Sequence, residues 1–291
     1  MLELLIALVV VFVVGAVIWW LFFETEGVYL GRRVVIGLYD LYARRYDNIK
    51  QNDDVEEHLQ LAQPLMTLLY PQTDPLVLDV ATGTGRIPLA LCQHARFEGH
   101  IVGMDLSRGM LQQAARKIQA EHFEDYVTLL WADGQRLPFD DASFDLVTCM
   151  EAWEFMPVPE AALKECIRVL RPGGVLLTTN RNNNIFMPGR LWSQDEMQAL
   201  LHGQGIEDVE FKRWQLDYTL VWGRKAGKSR PIGVRPIEDV LHCPQCGAKA
   251  IALWDDEVYL CEACDTELPY TRAGVIQFYP MRKESLRTVA R

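Results

Sequence analysis

Val77-Leu78-Asp79-Val80-Ala81-Thr82-Gly83-Thr84-Gly85-Arg86 is the stretch from which the rest of the chain can be read. The apolar run Leu76-Val77-Leu78 predicts a buried strand. It ends in an acid, then in small residues with two glycines, and a helix-like segment follows. That is the plan of a nucleotide-binding strand–loop–helix. Glycines let the backbone turn tightly and approach a ligand that a Cβ would push away. An acid at the strand's end can accept hydrogen bonds from a ligand hydroxyl or amine. Taken alone, Gly-x-Gly also fits an ordinary tight turn of an α/β protein, so the flanking segments have to decide.

Working outward, Arg86 to Ala95 predicts a helix with Pro88 in its first turn, where proline is tolerated. His100 to Asp105 is a second strand ending in an acid, and Ser107 caps a helix through Met110, Leu111, Ala114, Ala115 and Ile118. Tyr126 to Ala132 is a third strand, followed by Asp133-Gly134. Ser143 to Met150 is a fourth, followed by Glu151-Ala152-Trp153. Pro159 to Leu170 predicts a helix ended by Arg171-Pro172-Gly173-Gly174, and Val175 to Thr179 a fifth strand. A helix capped by Ser193 runs to Gly203, and strands fit 209–214 and 216–224. Upstream, Asp53 to Tyr70 reads as a helix, with Asp53 or Asp54 as cap and Pro64 bending or splitting it. Alternating strands and helices predict a mostly parallel sheet covered by helices on both faces, its last pair of strands including an antiparallel one.

The chain has 291 residues, 49% hydrophobic, with a formal net charge of -10. So acidic a chain is a poor general binder of phosphate backbones, which makes nucleic acid a disfavoured partner, with a local basic patch left open. Leu4 to Phe23 is an uncharged run of about twenty residues, long enough as a helix to cross the ~30 Å hydrocarbon core of a bilayer. Met1-Leu2-Glu3 before it, and bulky aromatics and Glu24 after it, fit a retained anchor better than a cleaved signal peptide. Trp19 and Trp20 suit the interfacial belt. Arg32, Arg33, Arg44 and Arg45 follow the run and no basic residue precedes it, so a single-pass topology with the body on the cytoplasmic side is expected. Tyr39, Tyr42 and Tyr46 share one helix face, either as a packing stripe or as a lid over a pocket.

The acids choose the ligand. A dinucleotide fold wants a third glycine where this chain has Pro88, and an acid just before the loop repels pyrophosphate. S-adenosylmethionine carries no phosphate. Asp79 can favour its cationic methionine end, Asp105 can take the ribose diol, and Asp133 beside Gly134 can accept from the adenine amino group. The motifs LDVATGTGR (78–86), GMDLS (103–107), ADGQRLPFDDASFDLV (132–147) and ALKECIRVLRPGGVLL (162–177) resemble those of class I S-adenosylmethionine-dependent methyltransferases, especially the ubiquinone/menaquinone-type branch. The resemblance covers about Tyr39 to Lys225. It implies a seven-stranded sheet with the last strand antiparallel. It further implies a cofactor site of Asp79, Ala81, Gly83, Thr84, Gly85, Asp105, Leu106, Asp133 and Gly134. Ala81 departs from the glycine that many members carry there. Methyl transfer is an in-line displacement that depends on alignment, with at most one base. Glu151, Glu154 and Tyr46 are the candidates, and Glu151 is expected to face the donor. Tyr39, Tyr42, Trp153 and residues 180–192 are expected to shape the acceptor pocket.

Cys243-Pro-Gln-Cys246 and Cys261-Glu-Ala-Cys264 stand fourteen residues apart. Two Cys-x-x-Cys knuckles at this spacing predict a four-thiolate structural zinc site rather than disulfides or redox chemistry. Cys92, Cys149 and Cys166 lie in apolar segments and read as buried small hydrophobes. A unit of about 40 residues has too little core to hold itself together, so a metal clip makes physical sense. With Leu268-Pro269-Tyr270 and Gly274-Val275-Ile276, it resembles the zinc ribbons of small activators of tRNA and protein methyltransferases. Trp254, Tyr259, Leu260, Phe278 and Tyr279 are expected to dock it on the catalytic domain or a protein partner.

The expected organisation is therefore an anchor (1–25), a helical lid (26–70), a methyl-donor domain (71–225), a linker (226–240), a zinc ribbon (241–280) and a basic tail (281–291). The functional expectation is methyl transfer to a membrane-proximal small molecule, lipid or quinone-like acceptor. The alternatives are an RNA or protein methyltransferase using the ribbon for recognition, and a non-catalytic S-adenosylmethionine-binding scaffold. Glu151-Ala-Trp-Glu stands where amino-nitrogen methyltransferases often carry Asn-Pro-Pro-Tyr, which counts against the first alternative.

Overall fold

The computed structural model describes residues 1–47, 54–182, 192–255, 258–271 and 274–278. Asp53, residues 183–191, Tyr279 and the 281–291 tail lie outside them. The helices are α1 (Leu2–Trp19), α2 (Arg32–Tyr42), α3 (Asp54–Glu57), α4 (Gln63–Leu69), α5 (Arg86–Cys92), α6 (Arg108–Ala120), α7 (Pro159–Val169) and α8 (Gln194–Gly203). The strands of the main sheet are β1 (Leu76–Val80), β2 (His100–Asp105), β3 (Val127–Trp131), β4 (Phe144–Cys149), β5 (Leu170–Arg181), β6 (Ile206–Arg213) and β7 (Tyr218–Lys225). Joining them from the C-terminal region is β11 (Val275–Gln277); β8 (Ile251–Asp255), β9 (Val258–Cys261) and β10 (Thr266–Pro269) form a separate antiparallel sheet.

The main sheet runs β11-β3-β2-β1-β4-β5-β7-β6, with β7 antiparallel to both neighbours and the other pairs parallel. The apolar runs found in sequence are the central strands, buried from both sides as parallel strands must be. Alternation along β1 divides the core. Leu78 and Val80 join Leu163 and Ile167 of α7 on one face, while Val77 joins Leu91 of α5 and Leu111 of α6 on the other. The strand order reverses between β1 and β4, and the crevice at that switch point lies beyond the carboxyl ends of the strands.

Two expectations need correction. The sheet has eight strands, not seven. Without β11, β3 would be an edge with a row of unpaired amides and carbonyls. Val275, Ile276 and Gln277 pair with Leu129, Leu130 and Trp131, and Phe278 donates its N–H to the Trp131 carbonyl (3.1 Å). Nor does Arg171-Pro172-Gly173-Gly174 end a helix. The α7 helix stops at Val169 and β5 begins at Leu170, so the Pro-Gly-Gly lies inside β5, where the register against β4 shifts from Phe144↔Leu170 to Leu146↔Val175. The predicted 53–70 helix is α3 and α4 joined by a π turn, His58–Ala62, which comes just before Pro64, whose missing N–H interrupts regular pairing.

The 226–240 segment is tied down by Asp145 at the opposite ends of the strands. This buried carboxylate accepts from the N–H groups of Leu76 (3.0 Å), Ile232 (2.9 Å) and Gly233 (3.0 Å), from Gln72 Nε2 (2.9 Å) and from Arg171 Nε (2.5 Å).

Candidate functional site

The loop after β1 is built as its sequence requires. Gly83 and Gly85 lie at φ +56° and +88°, and Ala81 adopts φ +58° without being glycine. For an L residue this left-handed conformation costs ~1–2 kcal/mol, so the alanine is held there by its surroundings. Asp79 is buried at the end of β1 and accepts from the Thr148 hydroxyl of β4 (2.6 Å). Burial pushes its carboxyl up to about 6, against the lowering effect of that hydrogen bond.

Asp105 ends β2 and holds the loop in place. One of its oxygens accepts from the Gly83 N–H (2.9 Å), the other from the Ser107 N–H (2.8 Å). Burial raises its pKa, and the backbone donors oppose the shift. Each oxygen keeps a further lone pair for a ligand hydroxyl. Asp133, after β3, accepts from the Gln135 N–H (3.0 Å) and pairs with Arg32 of α2.

These elements line a pocket between the strand ends and α2. Its walls include Ala81, Gly83, Asp105, Leu106, Asp133 and Gly134 of the sequence-derived set. Asp79, Thr84 and Gly85 stand behind this wall. Thr84 instead donates to Asp47 (2.5 Å), which also pairs with Lys117 (3.0 Å).

The tyrosine stripe divides. Tyr39 and Tyr46 line the pocket with ring centroids 6.0 Å apart, and Tyr39 meets Phe155 edge-on at 5.5 Å. Tyr42 turns to Phe23 at the end of the apolar helix (6.4 Å). The α2 helix is fastened over the pocket through Asp40, which accepts from the Ser107 hydroxyl (2.6 Å) and the Gly109 N–H (2.8 Å) at the start of α6. Gly109 is required by contact: a Cβ there would stand 2.8 Å from the Asp40 Cα. No local pattern marks Arg32 or Asp40 for this role, since their partners lie 101 and 67–69 residues away.

On the far wall, Glu151 lies at the pocket, at φ +50°, with its N–H donating to Thr179 (2.7 Å). Its carboxylate is paired with Arg86 Nη1 (2.7 Å), whose Nε reaches Glu57 (2.9 Å). Glu154 is buried outside the pocket wall, bonded to the Tyr218 hydroxyl and to Arg181 (3.3 Å), and burial raises its pKa. Trp153, expected at the acceptor pocket, is core: its indole N–H donates to Thr178 (2.6 Å). Asn180 is likewise tied, to the Trp192 carbonyl (2.9 Å).

The four C-terminal cysteines converge, with all sulfurs within 4.8 Å of one another. Cys243 and Cys264 Sγ are 3.7 Å apart, and Cys246 and Cys261 Sγ 3.6 Å. A tetrahedron with ~2.3 Å metal–sulfur bonds has edges of ~3.8 Å, so the set fits a metal ion. These separations are far longer than the ~2.05 Å of a disulfide. The Thr266 hydroxyl lowers the Cys264 thiol to about 6, while burial pushes the Cys261 thiol up to about 12. At the other end of the chain, residues 2–24 form a helix with mean hydropathy 3.0 and none of it buried, long and apolar enough to cross a membrane.

Residues 78–178 match the methyltransferase domain family. A ubiquinone/menaquinone biosynthesis C-methyltransferase of Roseobacter denitrificans is 34% identical over 157 residues, 53% of this chain and 62% of that protein. The chain spans less than two thirds of the length of the curated relatives it matches first. Among solved structures, the [4+2]-cyclase SpnF superposes with TM-score 0.56 at 18% identity, over 68% of this chain and 97% of that one. A chain of the complex between the Haloferax volcanii Trm112 methyltransferase activator and a methyltransferase superposes at 0.51 and 23% identity, over 65% of this chain and 98% of that one. Both likenesses concern the fold. The segment that matches the methyltransferase domain family, residues 78–178, runs from β1 into β5 and carries Asp79 and Asp105 at the ends of β1 and β2 and Asp133 after β3.

Proposed function

We propose that the protein moves a methyl group from S-adenosylmethionine to a quinone-like or lipid acceptor resident in a membrane, with the catalytic domain on the cytoplasmic side. One observation carries the reading: the donor pocket is roofed by α2, which is joined by a short packed turn to an apolar helix of membrane-spanning length. The curated relatives named for quinone methylation supply the acceptor class.

Asp79 would favour the ammonium of the donor's methionine, Asp105 the ribose diol, and Asp133 with Gly134 the adenine edge. Binding adenine would draw Asp133 away from Arg32. Bound there, the donor supplies a methyl carbon already activated by sulfonium. The domain's task is then to hold the acceptor carbon in line with it. Tyr39, Tyr46, Phe155 and Met156 would sandwich an aromatic head group, and Glu151 would take the proton that the acceptor loses. Arg86 keeps Glu151 aimed at the pocket. In this reading the four cysteines hold a structural zinc ion, since every ligand position is filled by protein.

A second reading, methylation of RNA or protein guided by the ribbon, draws on a cleft between Cys243–Gly247 and Asp133, lined by Arg136 and Arg168. The net charge of -10 weighs against a nucleic acid there.

Membrane extracts from cells with and without the protein decide among these. The expected result is a lipid or quinone heavier by one methyl-for-hydrogen replacement, absent with Asp105→Ala, which loses donor binding. Label from the donor appearing in RNA or protein instead would move the assignment to the second reading. Glu151→Gln turning over at the wild-type rate would remove the proposed base.

A further inference from the structure

Beside the donor pocket lies a second cavity, of about 190 Å³, between the end of the apolar helix and α2. Phe22, Phe23, Leu38, Tyr42 and Met110 line it, and Tyr39 and Tyr46 are shared with the donor pocket. The one carboxylate on its wall, Glu26, is engaged by the Tyr39 hydroxyl (2.5 Å). The remaining wall is apolar or aromatic. An apolar cavity of ~150 Å³ already holds a benzene ring.

The junction that forms this cavity is packed. Phe22 and Phe23 sit on a π turn, Trp20–Glu24, that continues α1. The Leu21 carbonyl accepts from the Thr25 hydroxyl (2.9 Å) and the Gly27 N–H (3.0 Å). Gly27 turns the chain at φ +75°, where a Cβ would stand 2.9 Å from Leu38 Cδ1 and 3.0 Å from Val34 Cγ1. Trp20 packs against Tyr29 at a tilt of 31°, with centroids 4.9 Å apart. The α2 helix and the apolar helix therefore move together, and the place where the chain leaves the bilayer sets the place where the cavity opens. Around it, Phe23, Tyr29, Leu30 and Leu41 are exposed, as are Arg33, Arg44 and Arg45. Aromatic and aliphatic groups mixed with arginines match an interface of acyl chains and anionic head groups.

We propose that this cavity is a binding site for the apolar tail of a membrane-resident acceptor. The tail leaves the bilayer along the anchor, and the head group crosses the Tyr39–Tyr46 edge to reach the donor. The inference rests on the membrane-acceptor reading above and adds the site that makes it work. A tail that passes from bilayer to cavity never meets water, so the head group can rise to the donor without the ~25 cal/mol per Å² cost of exposing the chain.

The test uses the full chain in lipid nanodiscs, with alkyl hydroquinones that differ in tail length. Leu38→Trp fills the cavity and touches no group assigned to the donor. It should raise KM for the long-tailed hydroquinone several-fold while leaving S-adenosylmethionine affinity and turnover of the tail-less hydroquinone unchanged. Equal KM values for both acceptors in wild type and variant would overturn the proposal. A hydroquinone with a diazirine in its tail gives a readout independent of turnover. Crosslinks to peptides bearing Phe22, Phe23 or Tyr42, lost in Leu38→Trp or in the second filling variant Met110→Trp, support the site. Crosslinks confined to other surfaces, or displaced by phosphatidylcholine and not by unlabelled hydroquinone, refute it. Crosslinking at the cavity without methylation would instead retire the choice of acceptor class and leave the tail site standing.

Discussion

In the proposed donor-binding role Asp79 would be charged where charge is costly, and that sets a pH dependence. Burial raises its carboxyl from an ordinary 3.8 to about 6, so the folded state is penalised once pH exceeds the unfolded value, fully so above 6, and relieved as pH falls. A cationic ligand reverses the preference, because it favours the carboxylate. The affinity for S-adenosylmethionine should therefore fall as pH drops below about 6, approaching a tenfold loss per pH unit. Calorimetric titration across this range checks it, and Asp79→Asn should bind weakly with no such slope. A wild-type affinity that is flat to pH 5 would remove Asp79 from contact with the cation. Ala81 shows the opposite limit of inference at this scale. Its departure from glycine was visible in sequence, and its positive φ was not.

At the scale of elements, the sheet edges and helix ends follow from local chemistry. Ser193 caps α8 in a capping box with Glu196, and Ser107 caps α6, both as their spacing predicts. The anchoring of 226–240 had no such local signal, because Asp145 and its partners Ile232 and Gly233 are 87 and 88 residues apart. Burial would raise that carboxylate, yet the N–H groups of Ile232, Leu76 and Gly233 and the Arg171 guanidinium hold it below its usual range. The sign follows: a depressed native pKa contributes stability above the unfolded value of 3.8, and loses it as pH drops through and below that value. Asp145→Ala should cost about 3–5 kcal/mol, as for other broken buried pairs, leaving Arg171 without its carboxylate. Denaturant melts at pH 7 and pH 3.5 should show the gap between wild type and variant narrowing at the lower pH. Equal gaps would mean that shape, not charge, matters there.

On the scale of the whole molecule, the C-terminal unit and the sheet are one structure. The β11 strand closes the β3 edge, Arg108 of α6 lies 3.8 Å over the Trp131 ring and donates to Gln277 (3.1 Å), and Asp140 receives His242 and Lys249, each at 2.6 Å. If zinc holds the knuckles, a strong chelator should release one equivalent of metal and loosen β11 as well as the ribbon. Hydrogen exchange of the Leu129–Trp131 amides should then accelerate, and the bared edge should promote association. Protection unchanged after metal release would mean that β11 is held by its own pairing alone.

The sequence by itself determined the order of elements, the glycine loop after β1, the acids at the ends of three strands, the cysteine quartet and the apolar helix. Each is written in local periodicity or in short spacings, where a few neighbouring residues carry the physical signal. The eighth strand, the Arg32–Asp133 and Glu151–Arg86 pairs, the division of the tyrosines and the cavity beside the apolar helix were decided by tertiary structure. They depend on which surfaces the fold brings together, and three residues of β11 or a single arginine carry no pattern until a partner far along the chain is placed beside them.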